Sequence, residues 1–124
     1  MAESASAAVL VVEDEPDIRE TLRDILETEG YSVRCAANGR EALEALAEMP
    51  RPQLILLDLM MPVMSGYELL RELRANDALS SIPVTVVSAT VDGRAVPGDA
   101  SVLRKPVDLD TLLNLVDARC QTCR

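Results

Sequence analysis

The residues able to do chemistry in this chain stand just past its apolar runs. Glu13 and Asp14 follow the run ending at Val12. Asp58 follows the run ending at Leu57. Ser88 closes a third run, and Arg104 and Lys105 follow a fourth. Carboxylates gathered in one place repel one another unless something neutralises them. A hard divalent cation does so, and Mg²⁺ takes one or two carboxylates together with waters and phosphate oxygens. Lys105 adds a positive charge but cannot balance three negatives alone, and the Ser88 hydroxyl can donate to a phosphoryl oxygen. A carboxylate nucleophile, a metal, a Lys and a hydroxyl are the parts of a phosphoryl-transfer site.

Each part has a plainer reading by itself. The stretch Glu13-Asp-Glu-Pro-Asp17 suits a solvated helix N-terminus, where acids favour the helix dipole, and Glu15 and Asp17 need do no more than that. Asp58 suits a turn before Pro62, Ser88 a strand-end hydroxyl, and Lys105 an ordinary surface position. What outweighs these readings is the joint placement of the residues, because an open parallel sheet binds its ligands beyond the carboxyl ends of its strands.

The elements that must position them are legible in the hydrophobic pattern. Short apolar runs occupy Ala7–Val12, Tyr31–Ala36, Gln53–Leu57, Val84–Val87 and Ser101–Leu103. The first, third and fourth are nearly continuous in Val, Leu and Ile, as in parallel strands covered on both faces. The second alternates, as an edge strand does. Ile18, Leu22, Ile25 and Leu26 share helical spacing, with Pro16 in the first turn and Gly30 as a stop. A second helix runs from about Gly39 to before Pro50, with Leu43, Leu46 and Ala47 on one face. A third opens at Ser65, with Glu68 completing a capping box and Leu69, Leu70 and Leu73 directed inward. A last helix opens at Asp108 and buries Leu109, Leu112, Leu113 and Val116. This alternation predicts a doubly wound α/β sheet. The stretch Ala89–Ala100 holds Gly93, Pro97 and Gly98 and is only long enough for a minimal crossover, so the fourth helix is expected to be shortened or irregular. Residues 1–6 are expected to form a loose N-terminal arm, and 7–124 one domain.

Composition excludes several classes. The net charge of −9 and an aromatic content of 2% disfavour direct nucleic-acid binding, which needs basic surface and stacking platforms. No apolar run approaches the ~20 residues that span a bilayer. The start of the chain does not fit a secretory signal, so a cytoplasmic location is expected. Cys35 lies in the alternating run and reads as a small core residue. Cys120 and Cys123 form a C-x-x-C pair, but with no His and only one other Cys a zinc site lacks ligands, and reduced thiols are the expectation.

The segments Val9-Leu-Val-Val-Glu-Asp-Glu-Pro16, Leu54-Ile-Leu-Leu-Asp-Leu-Met-Met-Pro-Val-Met-Ser-Gly-Tyr-Glu-Leu69, Val86-Val-Ser-Ala89 and Arg104-Lys-Pro106 strongly resemble the receiver domains of two-component response regulators. The resemblance runs from about residue 7 to 118. It implies a flavodoxin-like, five-stranded parallel sheet of order 2-1-3-4-5. It implies that Asp58 is the phosphoacceptor and that Mg²⁺ is held by Glu13, Asp14, Asp58 and the backbone carbonyl of Met60. Glu13 replaces the commoner Asp and is the ligand expected to act through water. Ser88 matches the switch hydroxyl and Lys105 the phosphate-binding Lys. Ala89 leaves room for the phosphoryl group, and the bond before Pro106 is expected to be cis. The implied partners are a sensor histidine kinase or histidine phosphotransfer protein upstream and a protein target downstream. No enzymatic activity is implied beyond self-catalysed phosphoryl transfer and autodephosphorylation. No output domain follows within the chain, which suits a single-domain regulator, a phosphorelay shuttle or a piece of a longer protein.

Departures from the family pattern bear on output. Val102 stands where the family usually carries an aromatic switch residue, and the interval after Ser88 is short. Signalling is therefore expected to run through the loop from Ala89 to Ala100. A receiver-fold interaction module that works without phosphorylation is the alternative reading. An Asp-nucleophile phosphohydrolase is disfavoured because Met60 stands where a second Asp is needed. An FMN-binding protein is disfavoured because Glu13-Asp-Glu would repel the phosphate.

Overall fold

In the computed structural model the described residues are 8–49, 51–58, 65–88, 101–104 and 109–121. They form strand β1 (Ala8–Val12), helix α1 (Pro16–Thr28), β2 (Ser32–Ala36), α2 (Gly39–Glu48), β3 (Leu54–Leu57), α3 (Gly66–Ala75), β4 (Val84–Ser88), β5 (Ser101–Arg104) and α4 (Leu109–Gln121). All strand pairs are parallel, in the order β2-β1-β3-β4-β5. This is the doubly wound sheet that the sequence pattern predicts, in the flavodoxin-like order that the resemblance implies. The interval assigned to a shortened fourth helix, residues 89–100, lies outside the described residues, as does the N-terminal arm.

Alternation along each strand sends side chains to two cores. Leu10, Val12, Ile55, Leu57, Val84 and Val86 pack with Ala42 and Ala45 of α2 and with Leu69, Leu70 and Leu73 of α3. Val9, Val11, Leu54, Leu56 and Val87 pack on the other face with Leu22 and Leu26 of α1 and with Leu112 and Val116 of α4. β1 and β3 are therefore apolar at every position, because both of their faces are covered. Each buried Leu contributes about 2 kcal/mol through removal of its surface from water.

Local signals set the element ends. Pro16 occupies the first turn of α1, where its missing N–H costs nothing. The helix closes in a Schellman motif: the Tyr31 N–H donates to the Leu26 carbonyl and the Gly30 N–H to that of Glu27, both at 3.0 Å. Gly30 takes φ 97°, a left-handed conformation that a side chain resists. Ser65 and Glu68 form the expected capping box on α3. Asn38 caps α2 by accepting from the Glu41 N–H at 2.9 Å.

Three expectations are corrected. The inner face of α2 is Ala42 and Ala45, with Leu43 and Leu46 at its margins and Ala47 exposed. Small residues at the centre let the helix lie close to the sheet. Ile18 is exposed although it continues the stripe of Leu22 and Leu26, since the first turn of α1 stands at the rim of the sheet with little beneath it. Cys35 is half-buried rather than a core residue, because its strand is the sheet edge. In α4, Leu112 and Val116 are buried and Leu113 is partly so, as expected; Asp108 and the Leu109 side chain lie outside the described residues.

Candidate metal centre at the carboxyl edge of the sheet

β1 and β3 are neighbours in register, with Val12 opposite Leu57. The residues that follow these two are therefore brought side by side at the carboxyl edge. The Asp58 N–H donates to the Val12 carbonyl, and the Glu13 N–H donates to the Ala36 carbonyl on the other flank, each at 3.0 Å. Both residues thus continue the sheet's ladder by one rung, and neither is free to swing away. Glu13 is 2% exposed and Asp58 6%, while Asp14 is partly exposed.

One ligand oxygen from each of Glu13, Asp14 and Asp58 lies within 4.8 Å of the others. At that separation and an effective dielectric of about 20, each pair of charges costs about 3 kcal/mol. Buried charge of one sign calls for a counter-charge. The donor set is all hard oxygen, the chemistry that Mg²⁺ selects. Two oxygens on one Mg²⁺ sit at most about 4.2 Å apart, twice the ~2.1 Å bond length. The cluster therefore fits the ion with a shift of about half an ångström, or with one carboxylate acting through an intervening water. The sharing of one cation by Asp14 and Asp58, which the sequence reading requires, is compatible with this spacing.

The loop between β1 and α1 is tied down by its neighbours. The Glu15 N–H donates to Glu13 Oε2 at 3.3 Å, so the start of α1 aims a donor at the buried carboxylate. Arg19 reaches back from α1, and its Nη1 donates to the Glu13 carbonyl at 2.9 Å and to the Asp14 carbonyl at 3.5 Å. Reading the sequence alone misses Arg19. The signal that finds it is directional: side chains on a helix lean toward its N-terminus, so a long donor one turn in can cap the preceding loop.

Ser88 is the last residue of β4, at the level of Arg104 in β5, so its backbone stands at the same edge as Asp58. Its side chain lies outside the described residues, as does that of Val102. Met60, Ala89, Lys105 and Pro106 also lie outside them. Behind the site, burial pushes the Cys35 thiol above its ordinary value, with Arg23 and then Arg19 opposing the shift.

The profile of the response regulator receiver domain matches residues 9–117. The chain belongs to this family, a class of signalling modules. It is 40% identical over 121 residues to an uncharacterized 14.6 kDa protein of Leptolyngbya boryana, covering 94% of this chain and 92% of that one. Other curated relatives are longer: the match spans 46% of a response regulator of Mycolicibacterium vanbaalenii, 50% of a transcriptional regulatory protein of Helicobacter pylori and 9% of a sensor histidine kinase of Ectopseudomonas mendocina. Among solved structures it resembles the receiver domain of a signal transduction histidine kinase from Syntrophus aciditrophicus, with TM-score 0.86 and 35% identity over 94% of this chain and 92% of that one. It also resembles the receiver domain of sensor histidine kinase PA1611 from Pseudomonas aeruginosa PAO1, with TM-score 0.84 and 28% identity over 94% and 99% of the two chains. That structure holds a magnesium ion coordinated in its active site cleft.

Proposed function

We propose that this chain accepts a phosphoryl group on Asp58 from a phosphohistidine of a sensor histidine kinase or histidine phosphotransfer protein, and signals by a change of conformation. The observation that carries the reading is the convergence of Glu13, Asp14 and Asp58 to within 4.8 Å at the carboxyl ends of β1 and β3. Glu13, Asp14 and Asp58 would hold Mg²⁺, joined by the Met60 carbonyl. When bound, the ion would supply positive charge against the carboxylates and the transferring phosphoryl oxygens.

The chain's own residues account for the rest. A carboxylate oxygen of Asp58 attacks phosphorus in line. The O–P bond forms as the P–N bond to the donor imidazole breaks, and the imidazole keeps the electron pair. The backbone hydrogen bond to Val12 fixes Asp58 at the rim, so the nucleophile presents a restricted set of approach angles. Lys105 would pair with the phosphoryl oxygens, and Ser88 would donate its hydroxyl to the product. Ala89 would leave space beside it, and a cis bond before Pro106 would present Lys105. The pull of Ser88 on the phosphate would bias a two-state equilibrium in residues 89–100. Water then hydrolyses the acyl phosphate. The arm at 1–6, the domain extent of 7–124 and a cytoplasmic location belong to the same proposal; among the described residues no helix is long and apolar enough to cross a membrane.

The test is intact mass after incubation with acetyl phosphate and Mg²⁺. The wild type is expected to gain one phosphoryl group and Asp58→Asn none. A wild type that stays unmodified, also in the presence of phosphorylated donor proteins, would overturn the reading in favour of an interaction module that works without phosphate.

A further inference from the structure

We propose that Arg19 is the positioning residue that holds Glu13 and Asp14 in register for a shared cation. The inference deepens the reading of the acidic cluster as a metal site and rests on it. The helical ladder of α1 begins with the Arg19 N–H donating to the Glu15 carbonyl at 2.9 Å. The carbonyls of Glu13 and Asp14 precede that ladder, and they are the two that Arg19 Nη1 meets, at 2.9 and 3.5 Å. One guanidinium therefore binds the backbone of both loop residues whose carboxylates crowd Asp58.

The loop needs such a tether. Repulsion within the cluster drives Asp14, its partly exposed member, toward water. Glu13 is held at its N–H by Ala36 and at its carboxylate by the Glu15 N–H. Among the described residues, the hydrogen bond that ties the Asp14 backbone to α1 is the 3.5 Å one from Arg19. A loop ordered before the ion arrives spares each binding event the cost of ordering it.

The positive charge of Arg19 acts in the opposite sense, since it disfavours a nearby cation. Its guanidinium meets the backbone oxygens and is partly exposed, so solvent and salt weaken that effect. The hydrogen bonds of the clamp are fixed in geometry and are not weakened in this way.

The experiment is isothermal titration of the full chain with MgCl₂ at constant ionic strength. Four proteins are compared: wild type, Arg19→Met, which keeps the aliphatic stem, Arg19→Lys, which keeps the charge, and Arg23→Gln. Arg23 lies on the same helix, exposed and paired with Asp24 at 3.9 Å, so removing it deletes a neighbouring cation without touching the loop. Arg19→Met is expected to bind Mg²⁺ about tenfold more weakly, the fold-change of one charge-assisted hydrogen bond. Arg19→Lys is expected to lose about threefold, because a point donor replaces a rigid fork. Arg23→Gln should match the wild type or bind slightly more tightly. Amide exchange in the metal-free protein should quicken at Glu13 and Glu15 in Arg19→Met and not in Arg23→Gln. Equal or tighter Mg²⁺ binding in a folded Arg19→Met overturns the inference. If that variant fails to fold, wild-type affinity in Arg19→Lys overturns it. A wild type that itself shows no Mg²⁺ binding defeats the metal-site reading first, and that outcome is recognisable before any variant is compared.

Discussion

Replacing Asp58 by Asn should stabilise the metal-free protein while removing its proposed acceptor. The substitution keeps the shape of the side chain and deletes one of three clustered charges. Asp58 takes part in two carboxylate pairs within 4.8 Å, and at that separation and an effective dielectric of about 20 their unscreened repulsion comes to about 7 kcal/mol. Solvent reaches the partly exposed Asp14, and donors around the cluster offset part of the rest, so the expected gain is about 1–3 kcal/mol. For a domain of this size that corresponds to a rise in Tm of about 3 to 10 °C. The assay is thermal unfolding followed by circular dichroism, in EDTA and again in saturating Mg²⁺. Mg²⁺ should raise the Tm of the wild type more than that of Asp58→Asn, since a ligand stabilises according to its affinity for the native state. The gap between the proteins should narrow or reverse. A variant less stable than wild type in EDTA, or an equal response of both to Mg²⁺, would refute the reasoning that repulsion dominates this edge.

Other outcomes follow from the packing. The Thr85 hydroxyl is fully buried in β4 and has no hydrogen-bond partner among the described residues. Thr85→Val should therefore raise stability by about 1 kcal/mol, read as a higher urea midpoint at unchanged slope. Ser65→Ala breaks the capping box of α3, in which the Glu68 N–H donates to Ser65 Oγ at 3.2 Å, and should cost about 1 kcal/mol in the same measurement. Burial raises the Cys35 thiol, so the folded state holds that proton more tightly than the unfolded one. The stability this contributes is fully present below the unfolded thiol value of about 8.5 and is lost as pH rises from there through the folded value. In a Cys120→Ser, Cys123→Ser background, the same thiol should react with iodoacetamide at pH 8 more slowly in folded than in unfolded protein.

Much of the fold was legible because the chemistry is local. A strand covered on both faces is apolar almost throughout, so Leu54–Leu57 announces itself, and the first charge after it marks an edge. Gly30 and the Ser65–Glu68 pair declare helix ends by conformational and hydrogen-bonding need. Where the pattern misled, tertiary context decided. Ile18 obeys the helical period yet overhangs the rim. The α2 stripe centres on alanines that hydropathy ranks below the flanking leucines. Cys35 alternates as a buried residue would but stands on an edge strand. Within the site, the acidic trio was visible as strand-end charges, and strand order brought its members together. Arg19 was invisible as a partner because hydrophobic periodicity assigns a charged residue to solvent and says nothing of where a long side chain leads. Lys105 is visible in the sequence as a strand-end charge, while Met60, Ala89 and Pro106 enter the account through resemblance alone.

The central claim is that Asp58 becomes an acyl phosphate. An acyl phosphate is reduced by borohydride to an alcohol, whereas a free carboxylate is not. The protein is treated with acetyl phosphate and Mg²⁺, quenched with borohydride, digested, and its peptides weighed. Conversion of residue 58 alone to homoserine is the expected result. Conversion at another carboxylate, or at none, would contradict it.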